Sequence, residues 1–292
     1  MVSIWVLRGL REGVVTTRWP GRPDEYADQW RGPVVVRSGA DDVQEGPIPD
    51  ELCPTGAIRG TDRLRVDQGS CILCGRCVAA RPDVFAWSAG ATGPAAAALS
   101  RQALVVPRLE ETDEAVEAVR TELAERTAAL RRSVHIRHVD AGSDGSEEWE
   151  IQALLGPAYD IHRLGFFFTA SPRHADVLLV TGAGTAGMAG PLSTTYDGMP
   201  DPKVVIAVGT DAVSGGLLGG RLTGVAATVP VDVWLPGSPP SPFGILNALL
   251  IATGRMSREP KGRGVAWTEE RGTSDEGRRR LKAPRRRAGE TG

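Results

Sequence analysis

The sequence predicts an α/β chain in two modules: a small α+β unit built around cysteines, then a larger parallel sheet interleaved with helices. Three observations predict it. The chain's four cysteines, Cys53, Cys71, Cys74 and Cys77, all fall within residues 46–95. Four β-rich runs, at 134–139, 166–169, 175–180 and 203–208, recur within residues 134–254 with helix-length segments between them, which argues for a parallel sheet with right-handed crossovers. Between these stretches Leu109, Val116, Val119, Leu123, Ala124 and Leu130 recur at helical spacing, with acids early and Arg126, Arg131 and Arg132 late, as the helix dipole favours.

Length and charge set outer bounds. At 292 residues the chain has room for two domains, and a formal charge of −2 names no polyanionic partner. No apolar run approaches the ~20 residues that a membrane span requires, so membrane association is expected to run through partner subunits.

In order, residues 1–45 form an arm. It holds Ile4-Trp5-Val6-Leu7, the run Gly13-Val14-Val15-Thr16-Thr17-Arg18-Trp19-Pro20, a short helix from Asp24 to Trp30 and a strand at Val34-Val35-Val36. Taken on local chemistry alone, the arm reads as an edge strand and a Pro-rich loop. Residues 46–95 form the cysteine module, with Ala57-Ile58 and Leu64-Arg65-Val66-Asp67 as hairpin arms and Val84-Phe85-Ala86-Trp87 as a closing strand. Residues 96–133 are a linker helix, 134–254 the sheet domain, and 255–292 a basic tail with Lys261, Arg278-Arg279-Arg280 and Arg285-Arg286-Arg287. The tail is too poor in apolar residues to order itself. It reads as a solvated tail, with contact to anionic lipid as the functional option, and no reading element for nucleic acid accompanies its charge.

Cys71, Cys74 and Cys77 at x2, x2 spacing match the first three ligands of a [4Fe-4S] cluster. In two-cluster ferredoxins the fourth ligand comes from the other motif's Cys-Pro, and Cys53-Pro54-Thr55-Gly56 fits that tail. The remaining ligands of a two-cluster protein would fall at Val43, Gly46, Pro49 and Arg81, none of them cysteine. What is left is the complete set for one cluster in a ferredoxin-like module. A structural zinc site also takes four cysteines, usually as two separated C-x2-C knuckles, and disulfides suit small secreted chains; neither pattern matches as well. Arg81, standing where a ligand would be, adds a positive charge expected to raise the reduction potential.

Two resemblances sharpen this reading. The run Gly13 to Pro20 resembles the N-terminal arm of the ferredoxin-like subunits of formate hydrogenlyase and related membrane-bound hydrogenases, an arm that runs along neighbouring subunits. His138-Val139-Asp140-Ala141-Gly142-Ser143, Tyr159-Asp160-Ile161-His162-Arg163-Leu164-Gly165, Ala170-Ser171-Pro172-Arg173-His174-Ala175-Asp176, Met199-Pro200-Asp201-Pro202-Lys203 and Pro236-Gly237-Ser238-Pro239-Pro240 resemble the 20 kDa subunit of complex I and the small subunit of group 4 [NiFe]-hydrogenases. That resemblance implies a flavodoxin-like domain that docks on a large subunit, in a complex peripheral to the cytoplasmic face of the cell membrane. The whole chain then looks like a fusion of two neighbouring subunits.

The family binds its own [4Fe-4S] cluster through four cysteines, in Gly-Ser-Cys-x2-Cys, Gly-x-Cys-Ala and Gly-Cys-Pro-Pro. Aligned on the flanking residues, these positions here are Asp144, Glu147, Asp211 and Ser238. Iron in such clusters prefers soft sulfur, so no second cluster is expected. Three carboxylates suit a hard cation or are simply solvated. The glycine-rich turn Thr181–Gly187 lacks the acid and context of a nucleotide fingerprint, and the four histidines make no ligand pair at helical spacing. The expected role is an iron-sulfur electron-transfer subunit of a quinone- or hydrogenase-type complex, not catalytic alone. The alternative is a non-conducting assembly or coupling subunit.

Overall fold

Sequence runs that are apolar at every position, such as Val204-Val205-Ile206-Ala207-Val208, suit strands covered on both faces, and that is where the chain places them. The computed structural model describes residues 4–22, 24, 27, 30–37, 50–60, 64–89, 97–106, 121–130, 133–219 and 221–255. Most of the proposed 24–30 helix, most of the linker helix and the tail from 256 therefore lie outside the described residues.

The larger sheet has five parallel strands: β6 (Val134–Asp140), β7 (Phe166–Phe168), β8 (Val177–Thr181), β9 (Val204–Val208) and β10 (Val233–Leu235). Their spatial order is β10-β9-β8-β6-β7, which is the 2-1-3-4-5 arrangement of flavodoxin-like sheets. Every residue of β8, β9 and β10 is buried. Leu179, Ile206 and Val233 face one apolar layer with Phe243, Leu246 and Leu249 of the helix Pro242–Ala252. Leu178, Val180, Val205 and Ala207 face the other, with Leu192 of the helix Ala186–Asp197. Apart from Asn247 the Pro242–Ala252 helix is apolar, and it is wholly buried; Ser241 caps it by accepting from Gly244 N at 3.1 Å, and Pro242 opens it where no amide donor is needed.

The smaller unit is antiparallel. Strands β2 (Ile58–Arg59) and β3 (Arg65–Asp67) form the expected hairpin, and β1 (Arg31–Val36) pairs with β4 (Phe85–Ala89). Val34, Ala57, Val66, Val84 and Phe85 share one core with Cys71 and Cys77.

Residues 97–106, expected as the start of the linker helix, are instead a bridge, a 3-10 turn and a short strand, because their backbone groups pair with the edges of the two sheets, and they tie the two units together. Ala98 exchanges two 2.8 Å backbone hydrogen bonds with Trp234 at the β10 edge. Seven residues on, β5 (Val105–Val106) pairs with β3. The small sheet and the large one are thus joined through a single stretch of backbone.

The N-terminus differs from the edge strand that local chemistry suggests. Ile4–Glu12 is a helix with no buried residue, and Trp5 is 74% exposed. As a helix, the segment satisfies its backbone hydrogen bonds internally. Further on the arm lies along this chain's own sheet domain: Thr17 N donates to Ala158 O at 2.8 Å, Thr16 Oγ1 to Pro157 O at 2.8 Å, and Trp19 is buried beside Phe243 at 5.6 Å between ring centroids.

Candidate functional site

The four cysteines come from two separated segments and line one pocket, of ≈ 330 Å³ with its open space included, walled by Val34, Leu52, Ile58 and Val66. Cys53 follows the turn Asp50–Leu52. The chain then reverses through Gly56, φ 62°, and Ala57 N returns to Cys53 Sγ at 3.2 Å. Cys71 follows the 3-10 turn Gln68–Ser70. Between Cys71 and Cys77 the backbone enters the left-handed region twice, at Leu73 and Gly75 (φ 56° and 73°). Such a conformation is costly for Leu73, and it wraps the loop around the pocket. A Cβ on Gly75 would stand 2.8 Å from Trp87 Cζ2, so β4 packs against this turn as the closing strand was expected to. Cys77 lies in the first turn of the short helix Arg76–Ala80.

The thiols sit in different fields. Burial raises Cys71, against backbone hydrogen bonds from Val34 and Leu73, and burial pushes Cys77 up to about 11. Burial also raises Cys53, but hydrogen bonds from Thr55, Ala57 and Ile58 outweigh it and leave its pKa below the ordinary thiol value. Cys71 and Cys77 are buried, Cys53 is half-buried and Cys74 is exposed. Soft donors in a largely apolar pocket with backbone amides aimed at sulfur are a donor set suited to an iron-sulfur group.

The positive charge expected at Arg81 comes with a neighbouring acid. Its guanidinium is paired with Asp83, Nη2 to Oδ2 at 2.7 Å.

One feature of the pocket's support carries no sequence signal. Asp67, 2% exposed, is gripped by Arg101 through two 2.7 Å bonds and also accepts from Gly69 N at 3.1 Å and Ser70 Oγ at 3.0 Å. Ser70 O in turn accepts from Thr55 Oγ1 at 2.6 Å. The clamp therefore holds the turn that delivers Cys71 and connects it to the Cys53 loop. Arg101 lies 34 residues from Asp67 in a stretch without pattern, so only the fold reveals the pair.

The second set of candidate residues converges at the carboxyl ends of the large sheet. Ligand-capable oxygens of Asp144, Glu147 and Asp211 lie within 4.8 Å of one another. Glu147 is 1% exposed and sits against Gly209, where a Cβ would fall 2.3 Å from its Oε1; a Cβ on Gly216 would fall 1.8 Å from Asp211 Oδ1. The two glycines are what leaves the carboxylates room. Burial, with Asp211 and Asp144 alongside, pushes Glu147 up to about 7. Asp211 is raised by burial and by Asp144 and Glu148, whereas the Ser146 hydroxyl and amide hold Asp144 below the usual range. Ser238 stands after Gly237 (φ 134°), whose O accepts from Thr210 N at 2.7 Å.

The two sites adjoin. Thr210, next to Asp211 and fully buried, donates from Oγ1 to Cys71 O at 3.0 Å. The helix Gly209–Ser214 packs on the Gln68–Ser70 turn, where a Cβ on Gly69 would meet Val213 Cγ1 at 2.7 Å.

The glycine-rich turn after β8 serves close packing. A Cβ on Gly182 (φ 80°) would lie 2.6 Å from Gly142 C and Ser143 N, so the backbone after β8 presses on the backbone after β6. His138, lowered by burial, bonds Thr181 Oγ1 at 3.0 Å, and Thr181 donates to Glu148. His135 and His162 lie against Phe167 at 5.9 and 5.3 Å.

Comparison with known proteins places this architecture. Residues 145–252 match the model of the NADH ubiquinone oxidoreductase 20 kDa subunit. The probable membrane-bound hydrogenase subunit mbhJ of Pyrococcus furiosus is 38% identical over 143 residues, 48% of this chain and 86% of that protein. The chain belongs to the complex I 20 kDa and [NiFe]-hydrogenase small subunit family. Formate hydrogenlyase subunit 7 of Escherichia coli is 35% identical over 173 residues, 58% of this chain and 67% of that protein. NAD(P)H-quinone oxidoreductase subunit K of Picosynechococcus is 40% identical over 114 residues, 38% of this chain and 47% of that protein. The matched family span contains Glu147, Asp211 and Ser238 and none of the four cysteines. Two members of the acidic cluster, Glu147 and Asp211, thus fall within the matched span, Asp144 lies one residue before it, and the cysteine pocket lies outside it.

Proposed function

We propose that this chain is an electron-transfer subunit of a membrane-associated, hydrogenase- or complex I-like oxidoreductase, carrying one [4Fe-4S] cluster on Cys53, Cys71, Cys74 and Cys77. The observation that carries the reading is one pocket lined by all four cysteines, with Ala57 N directed at Cys53 Sγ. When bound, the cluster supplies one-electron transfer. The residues of the chain supply the rest: Val34, Leu52, Ile58 and Val66 exclude water, the backbone amides offset thiolate charge, and the Asp67–Arg101 clamp fixes the Cys71 turn.

On this reading the arm (1–45), cysteine module (46–95), linker (96–133), sheet domain (134–254) and tail (255–292) are separate functional segments. The sheet domain docks on a large subunit, and membrane subunits anchor the assembly on the cytoplasmic face. Among the described residues no helix is long and apolar enough to cross a membrane. The tail's arginines supply contact with anionic lipid.

Asp144, Glu147, Asp211 and Ser238 hold no second cluster, because hard oxygen donors are poor ligands for these irons. This same substitution favours a second reading, in which the sheet domain docks and couples without conducting. A large-subunit partner that keeps its nickel ligands supports conduction, and one that has lost them supports the second reading.

Anaerobic purification with iron and sulfide analysis and low-temperature EPR tests the proposal. About four irons per chain are expected. About eight would overturn the account of the sheet domain, and zinc in place of iron would overturn the electron-transfer role.

A further inference from the structure

We infer that Thr210, a residue of the sheet domain, is the positioning residue that sets the reduction potential of the cysteine pocket. The inference rests on the pocket holding its cluster as proposed above.

Thr210 is the side chain on which three segments meet. Its Oγ1 donates to Cys71 O at 3.0 Å and accepts from Gly237 N at 3.4 Å, while its amide donates to Gly237 O at 2.7 Å. It is 0% exposed. A hydroxyl has one hydrogen, and here the Gly237 amide occupies the oxygen, so that hydrogen is committed to the Cys71 carbonyl. In a dry site such a bond is electrostatically stronger than in water, and its loss leaves the carbonyl unsatisfied.

The consequence is directional. Reduction adds a negative charge at the sulfurs. The hydroxyl hydrogen held on the carbonyl of Cys71, a residue that lines the pocket, offsets negative charge beside the site, which favours the reduced form and raises the potential. Asp211, the next residue along the chain, acts in the opposite sense when ionised, because negative charge near the pocket disfavours an added electron. The arrangement makes the cysteine pocket responsive to the domain that docks, through one hydroxyl, with no ligand contributed by that domain.

The test uses the full chain, purified anaerobically with its cluster, in wild-type form and as Thr210→Val, Thr210→Ala and Thr210→Ser. Iron content and EPR signal are recorded first, so that an unloaded wild-type chain counts against the proposed function and not against Thr210. Midpoint potentials then follow from EPR-monitored redox titration. Thr210→Val and Thr210→Ala are expected to shift the midpoint to more negative values, and Thr210→Ser to restore it. Should Thr210→Val fail to load, Thr210→Ala, which removes the donor without adding bulk, decides alone. Loaded donor-less variants with the wild-type midpoint, or a Thr210→Ser variant shifted as far as Thr210→Ala, would overturn the inference. A purely structural residue would lower thermal stability and leave the midpoint in place.

Discussion

Arg101 holds both oxygens of the buried Asp67 carboxylate, Nη1 on Oδ1 and Nη2 on Oδ2, each at 2.7 Å. The arginine comes from the segment that tethers the two sheets and the aspartate from the strand before the Cys71 turn, so the pair links the tether to the pocket. Its geometry is the bidentate fork that lysine does not reproduce.

Replacing Arg101 with alanine leaves that carboxylate without its main partner. A loss of roughly 3 kcal/mol is expected, read by urea unfolding at neutral pH. Despite burial, Arg101, Ser70 and Arg59 hold Asp67 below its usual range. A depressed carboxyl contributes stability that is complete above its unfolded pKa of about 3.9 and is lost as pH falls through the lower folded value. The stability difference between wild type and Arg101→Ala should therefore be largest near neutral pH and shrink as pH falls below about 4.

The acidic cluster has the opposite sign. Glu147 is raised from 4.5 to about 7, so its folded form binds a proton that the unfolded chain has already released. Its contribution is greatest below the unfolded value, declines as pH rises between these limits, and is gone above pH 7. Glu147→Gln, which cannot ionise, should flatten the stability profile over that window. Above it the variant should be more stable by about 3 to 4 kcal/mol, at ~1.4 kcal/mol per unit. Unfolding curves at pH 5 and pH 8 check this; parallel profiles for the two proteins would sink it.

Cys74 separates ligation from packing. It is exposed, whereas Cys71 and Cys77 lie in the core of the small unit. Cys74→Ser is expected to leave the metal-free chain within ~0.5 kcal/mol of wild type while bound iron drops below about four per chain. Iron analysis beside urea unfolding of the apo protein reads both. A variant that keeps its full iron would remove Cys74 from the ligand set.

Gly182 reports on the packed turn after β8. With φ at 80° and the Gly142 backbone 2.6 Å from its would-be Cβ, an alanine there meets both a strained backbone and a rigid neighbour. Gly182→Ala should cost roughly 3 kcal/mol, visible as a lowered Tm. A neutral outcome would show that the turn has room to spare.

Much of the larger sheet was legible because the burial of its strands is written as uninterrupted apolar runs, and β8 and β9 fall close to where Ala175–Val180 and Lys203–Val208 place them. The hairpin of β2 and β3 was legible from the Cys-Pro turn before it. Strand β10 was not, because Val233-Trp234-Leu235 is too short to show a period, and only its position beside β9 identifies it. The helix at Ile4–Glu12 was missed for the reverse reason: a short apolar run fits strand or helix equally. At the site, aligned motifs named Asp144, Glu147 and Asp211, and the fold brings them together. Thr210 and Arg101 left no trace, since their value lies in hydrogen bonds to residues 139 and 34 positions away.

The short tether from Ala98 to Val106 has a kinetic meaning. Because one polypeptide carries both halves, the encounter between pocket and sheet is intramolecular, governed by loop closure instead of by how much of each half the cell makes. Dilution that would dissociate a pair of independent subunits leaves this joint intact.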